Sequence, residues 1–164
     1  MERILDVAQY IFDEYKVQSG EVIDEMKLHK LLYFAQRENL AITNTKLFEE
    51  NFEAWKYGPV SREIRMHYTP DGIYYKNQKE ISAESAYIVK NVILQYGALA
   101  SWKLSQLSHE EFSWKNARKG IAEGENGDGE MAIDDIKQDA KKVRPYDAIY
   151  DMYYDEFEDA EVAQ

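Results

Sequence analysis

The chain has 164 residues, 45% hydrophobic and 31% charged, which suits one domain with a single core and a soluble surface. Its formal net charge of −11 excludes broad electrostatic attraction to nucleic acid or anionic membrane, because both demand a surplus of Lys and Arg. With no cysteine there is no disulfide, thiolate nucleophile or Cys-based zinc site, and 13 Tyr, 6 Phe and 3 Trp are unlike a disordered chain.

Met1-Glu2-Arg3 leads straight into an amphipathic pattern, and no apolar run approaches the roughly 18 residues of a membrane span, so a cytoplasmic protein is expected. Ile4, Leu5, Ala8, Ile11, Phe12 and Tyr15 recur at helical steps and predict a first helix ending at Gly20. Asp24 is a candidate cap for a second helix through Met26–Gln36, with positions 28, 31, 32 and 35 on one apolar face and Asn39 as a candidate exit from helical geometry. Between Lys46 and Val60 the alternation is imperfect, and a short strand or an irregular loop both fit. Gly58-Pro59 is a turn signal.

Ser61 opens a short helix over Arg62 to Tyr68, stopped by Pro70, and Asp71-Gly72 reads as a tight turn beside Ile73-Tyr74-Tyr75. Ser82 caps a third long helix that ends at Gly97, and Ser101 opens another over Trp102 to Leu107. Ser108-His109-Glu110-Glu111 fits a capping box before a helix over Phe112 to Lys119. Gly124, Gly127 and Gly129 predict a flexible acidic loop, and Ile133 to Val143 a further helix. After Pro145, Tyr146, Ile149, Tyr150, Tyr153 and Phe157 share one helical face. The expected fold is mainly α, a single compact helical domain with at most a small β-hairpin.

Charge is unevenly spread. Residues 1–120 carry 16 basic and 17 acidic side chains, residues 121–135 six acids and no base, and residues 146–164 seven acids and no base. Acidity therefore belongs to the C-terminal third. Its aromatic stripe suits docking on the domain, or engagement of a basic partner, with Asp147, Asp151, Asp155 and Glu156 as candidate steering charges.

Chemistry-bearing motifs are sparse. His29, His67 and His109 are isolated, and no HExxH, nucleophile elbow or phosphate-binding Gly loop occurs. The stretch from Glu123 to Glu130 has a calcium-loop composition without the ordered ligand positions, so a solvated loop is expected. His109 and Glu111, near Trp114 and Arg118, are an acid/base candidate, but the cap already accounts for Glu111. Trp55, Tyr57 and Trp114 read first as core aromatics and, if exposed, as contact anchors.

Four segments in order carry a resemblance: KLHKLLYFAQ (27–36), FEAWKYGPV (52–60), LSQLSHEE (104–111) and WKNAR (114–118). Together they resemble the Panacea domain, the family of SocA-like antitoxins and phage-associated GepA-type proteins, across about residues 5–120. The resemblance implies a bacterial or prophage-encoded antitoxin that binds and neutralises a protein toxin, and it implies no catalytic activity; no cofactor or metal is expected. It also implies, for SocA-type members, delivery of the toxin to the ClpXP protease. The matching positions are Lys30, Trp55, Tyr57, Gly58, Pro59, Val60, His109, Trp114 and Arg118, and all but Lys30 are candidate partner contacts. Many relatives have Pro where Ser113 stands, which is expected to cost some rigidity. The expected organisation is a family core over residues 1–120, an acidic loop and short helix over 121–145, and a tail over 146–164. No membrane or direct nucleic-acid partner is expected. The alternative is a phage-encoded acidic inhibitor or decoy of a nucleic-acid-binding host protein.

Overall fold

The computed structural model describes residues 1–145, 147 and 149. Helix α1 (Ile4–Ser19) closes at Gly20, whose N–H reaches the Lys16 carbonyl and whose φ of 75° turns the chain out of the helix. Helix α2 (Glu25–Thr43) starts where the Asp24 carboxylate accepts the Lys27 N–H at 2.7 Å. The Ser61 and Ser82 hydroxyls cap α3 (Arg62–His67) and α4 (Ala83–Tyr96) in the same way. Then follow α5 (Ser101–His109), α6 (Phe112–Ala117) and α7 (Ile133–Lys141).

The fold is mainly α, with small antiparallel sheets. Strands β1 (Glu53–Trp55) and β2 (Gly58–Val60) form a hairpin that resolves the strand-or-loop alternative at 52–60. A second pair, β3 (Tyr68–Thr69) and β4 (Gly72–Ile73), turns at Pro70-Asp71. The acidic glycine-rich stretch supplies β5 (Gly129–Glu130), which closes the other edge of β1 by pairing Glu130 with Glu53 and Gly129 with Ala54. The expected flexible loop is thus pinned, and the Met131 N–H continues the pairing onto the Phe52 carbonyl at 2.8 Å.

Helix α2 is the axis of the molecule. Helices α1, α4, α5 and α7 and strand β2 pack around it, so every residue from Lys27 to Leu40 is buried, polar ones included. Leu28, Leu31, Leu32 and Ala35 join the core with Ile4, Phe48, Phe52, Val89 and Leu104. Met131, Ile136 and Ala140, from the C-terminal segment, belong to the same core.

Two local expectations are overturned. Asn39 does not end α2: its side chain donates to the Thr45 carbonyl (2.8 Å) and Thr43 Oγ1, and the helix runs on to Asn44 at φ 57°. The capping box at Ser108–Glu111 does not form. Ser108 lies inside α5 and donates to the Ser105 carbonyl (2.7 Å), while the Phe112 and Ser113 N–H groups that open α6 donate to Asp139 of α7 at 2.8 and 2.9 Å. A carboxylate from a different helix takes the cap because packing brings it there.

Candidate functional site

Polar residues of α2 serve two different places, one at each end of the helix. At the N-terminal end, the β1–β2 hairpin stands off α2 and encloses a cleft of about 780 Å³, lined by Met26, His29, Lys30, Trp55, Tyr57 and Val60 among others. Gly58 sets the approach. Its φ is 117°, and a Cβ there would lie 2.5 Å from Ser108 Oγ and 2.7 Å from Lys30 Cε, so only glycine lets β2 sit this close to α2 and α5. Pro59 contributes its carbonyl, which accepts from Lys30 Nζ at 3.0 Å.

Lys30 is 1% exposed, and burial pushes its ammonium down to about 8 against the pull of Asp24 and Glu25. Beside it His29 is fixed in one tautomer. The Ser61 N–H must donate to Nδ1 (3.2 Å), so Nε2 carries the proton and donates to Glu25 at 3.0 Å. Burial lowers the His29 pKa and keeps the ring neutral. Glu25 is held below its ordinary value, first by that hydrogen bond, and also takes Arg65 at 3.3 Å.

The outer wall is aromatic and cationic. Trp55 is half-buried, with the Arg65 and Arg62 guanidiniums 5.0 and 5.7 Å from its ring centroid. Arg62 pairs with Glu53 (2.7 Å) and Asp128 (3.3 Å). Tyr57, at the hairpin tip, is 55% exposed with Lys56 over its ring at 5.2 Å. Arg62 and Arg65 escaped the sequence reading. Their signal was the i,i+3 spacing on the single turn after the hairpin, which puts both on the Trp55 side.

The remaining motif residues brace the hairpin from behind. Trp114 Nε1 donates to the Trp55 carbonyl and Arg118 to the Ala54 carbonyl, both at 2.9 Å. His109 stacks on Trp114 at 4.1 Å with its Nε2 buried and unpartnered among the described residues, and burial lowers its pKa. Trp55, Tyr57 and Val60 thus face the cleft, Gly58 and Pro59 shape it, and His109, Trp114 and Arg118 support it. Asp147 accepts from the Tyr87 hydroxyl at 2.6 Å, on α4. Asp151, Asp155 and Glu156, and the predicted tail helix, lie outside the described residues.

At the C-terminal half of α2 lies a buried polar network. Tyr33 is bonded to Glu111 (3.0 Å), Ser113 (3.1 Å) and Asp139 (3.3 Å). Arg37 bridges Glu111, Glu38 and the Tyr96 hydroxyl. Burial pushes the Tyr33 phenol well up and the Glu111 carboxyl above its ordinary value, Arg37 opposing the latter. Ser113 is fully buried and supplies both its N–H and its hydroxyl here, so it tightens the structure where rigidity was expected to suffer; proline has no N–H to give. Glu111 is committed to this network and His109 to Trp114, on opposite sides of the α5–α6 junction.

The chain is thus a small α domain in which a hairpin stands beside a helix buried on all sides, with an aromatic and cationic cleft between them. The family model described as "Antitoxin SocA-like, Panacea domain" matches residues 28–115, and the chain belongs to that family. No curated protein and no solved structure matches it. Among the described residues no helix is long and apolar enough to cross a membrane.

Proposed function

We propose that the protein is an antitoxin that neutralises a protein toxin by direct binding, without catalysis, and that the hairpin cleft is the contact surface. The observation that carries this reading is the coincidence of a Panacea antitoxin domain with a cleft whose walls are the family-motif residues Trp55, Tyr57 and Val60. Aromatic side chains that are half-exposed and rigidly backed are suited to anchor a partner. Here the Trp55 backbone is fastened by Trp114 and its ring is flanked by Arg62 and Arg65.

The acidic C-terminal residues Asp147, Asp151, Asp155 and Glu156 act as steering charges for a basic partner surface. A cytoplasmic setting and hand-over of the bound toxin to ClpXP belong to the same proposal. Co-expression with the product of the adjacent gene tests the core of it. Growth is restored by the wild type and lost again with Trp55→Ala combined with Tyr57→Ala; a toxic neighbour left unrescued by the wild type would refute the reading. Changing the four acids to their amides slows association and flattens its salt dependence, and an unchanged salt slope removes the steering role. Toxin half-life compared with and without ClpX reads the adaptor role.

A further inference from the structure

The proposed contact surface has a charge opposite to that of the whole chain. Four cations line the cleft, Lys30, Lys56, Arg62 and Arg65, against Glu25 and Asp128. Arg62 is neutralised by Glu53 and Asp128, and Arg65 spends one nitrogen on Glu25. Lys30 is different. Its buried ammonium has a single protein acceptor, the Pro59 carbonyl, and among the described residues no carboxylate pairs with it. Asp24 and Glu25 act on it only from a distance, so the buried ammonium, hydrogen-bonded to one carbonyl, keeps a positive field toward the cleft, because little water screens it. Arg65 and Lys56 stand at the rim of that field, each beside an aromatic ring.

We infer that the cleft receives an acidic, aromatic peptide segment of the protein partner. One carboxylate of the segment lies at the rim between Arg65 and Lys56, over Lys30, and its ring packs on Trp55, Tyr57, Val60 and Met26. Lys30 is a positioning residue in this arrangement and acts through its field. The cleft volume, about 780 Å³, is in the range that holds a drug-sized ligand, hence a few side chains and not a folded element. A polyanion such as single-stranded nucleic acid is disfavoured. Glu25 and Asp128 on the walls meet its repeating phosphates, whereas one carboxylate avoids them. This deepens the antitoxin reading and rests on it only for the partner being a protein. A matching toxin is basic over much of its surface and carries one exposed acidic-aromatic segment.

The test is fluorescence anisotropy of the full-length protein with a labelled, end-blocked heptapeptide of glycine and serine that carries one aspartate beside one tyrosine. Three control probes are the asparagine and lysine counterparts and a ten-nucleotide oligothymidylate. The aspartate peptide is expected to bind at least about tenfold more tightly than any control, a difference of about 1.4 kcal/mol. Arg65→Gln and Trp55→Ala should each erase most of that preference, with circular dichroism confirming an intact fold; Lys56→Gln replaces Arg65→Gln if the latter unfolds. Equal binding of the aspartate and asparagine peptides, tighter binding of either the lysine peptide or the oligonucleotide, or no binding of any probe overturns the inference. If growth rescue succeeds while the acidic preference is missing, only the inference falls. If the preference is present and rescue fails, the antitoxin reading falls alone.

Discussion

The two ends of α2 bury polar side chains to opposite purposes. Around Tyr33 and Arg37 the ionised groups are surrounded by one another: Arg37 answers Glu111 and Glu38, and Asp139 takes two backbone N–H groups that open α6. Such a cluster locks four helices together and, although Arg37 Nε and Glu38 Oε2 stay buried without a hydrogen-bond partner among the described residues, offers little to another molecule. Around His29 and Lys30 the balance is left incomplete, with a buried ammonium facing a cleft and aromatic rings standing half-exposed above it. One helix, with motif residues throughout, therefore carries one network sealed in the core and another that faces a cleft, the surface to which the proposed function assigns recognition. Access to the cleft and the lack, among the described residues, of a carboxylate partner for Lys30 separate the two better than motif membership does.

The largest expected effect comes from breaking the closed network. Arg37→Met leaves Glu111 and Glu38 without their cation and should cost about 3–5 kcal/mol in urea unfolding. Under the proposed function, affinity for the toxin among the molecules that remain folded should change by less than about twofold. Gly58→Ala strikes the shared boundary, since its Cβ meets both Ser108 and Lys30 at a strained φ. It should remove about 2 kcal/mol of stability and weaken binding with it.

Trp55→Ala acts on the open side alone. Affinity measured by calorimetry should fall about 30-fold, as for an interface hot spot, with a smaller loss in unfolding free energy. If the stability loss exceeded the binding loss, Trp55 would be a core residue and not an anchor.

pH separates the regions by sign. Lys30 is lowered to about 8 in the fold from an ordinary 10.5, so between those values the unfolded chain holds more protons and this group's contribution to stability rises with pH. Glu111 is raised by burial, so just above its ordinary value of 4.5 the unfolded chain holds fewer protons and stability falls as pH rises. Urea midpoints across pH should show both slopes, the first flattened by Lys30→Met and the second by Glu111→Gln. The smallest effect is expected for His109→Asn, about 1 kcal/mol or less, with toxin rescue intact. Loss of rescue without loss of fold would revive a chemical role for His109.

Much of the fold was legible because its signals are local. Asp24, Ser61 and Ser82 cap their helices from within three residues, and Gly20 ends α1 through its own backbone. The aromatic face of the site was legible too, since Trp55 and Tyr57 are close neighbours in one motif, at the end of β1 and in the turn that follows it. Its cationic face was not, because Lys30 and Arg65 come from α2 and α3 and look like ordinary surface charges in sequence. The capping box failed for a related reason: Ser108 is taken into α5 and donates back to Ser105, while packing brings Tyr33 and Arg37 to Glu111.

The amino-acid sequence by itself determined the mainly α class, most helix boundaries and the family, because period, caps and ordered motifs act over short distances along the chain. Only the tertiary structure decided which polar residues of α2 are buried, that Asp139 opens α6, and that Gly129-Glu130 completes a sheet with β1. Those outcomes depend on segments far apart in sequence meeting in space, where a charge keeps its place only if a partner or a ligand answers it.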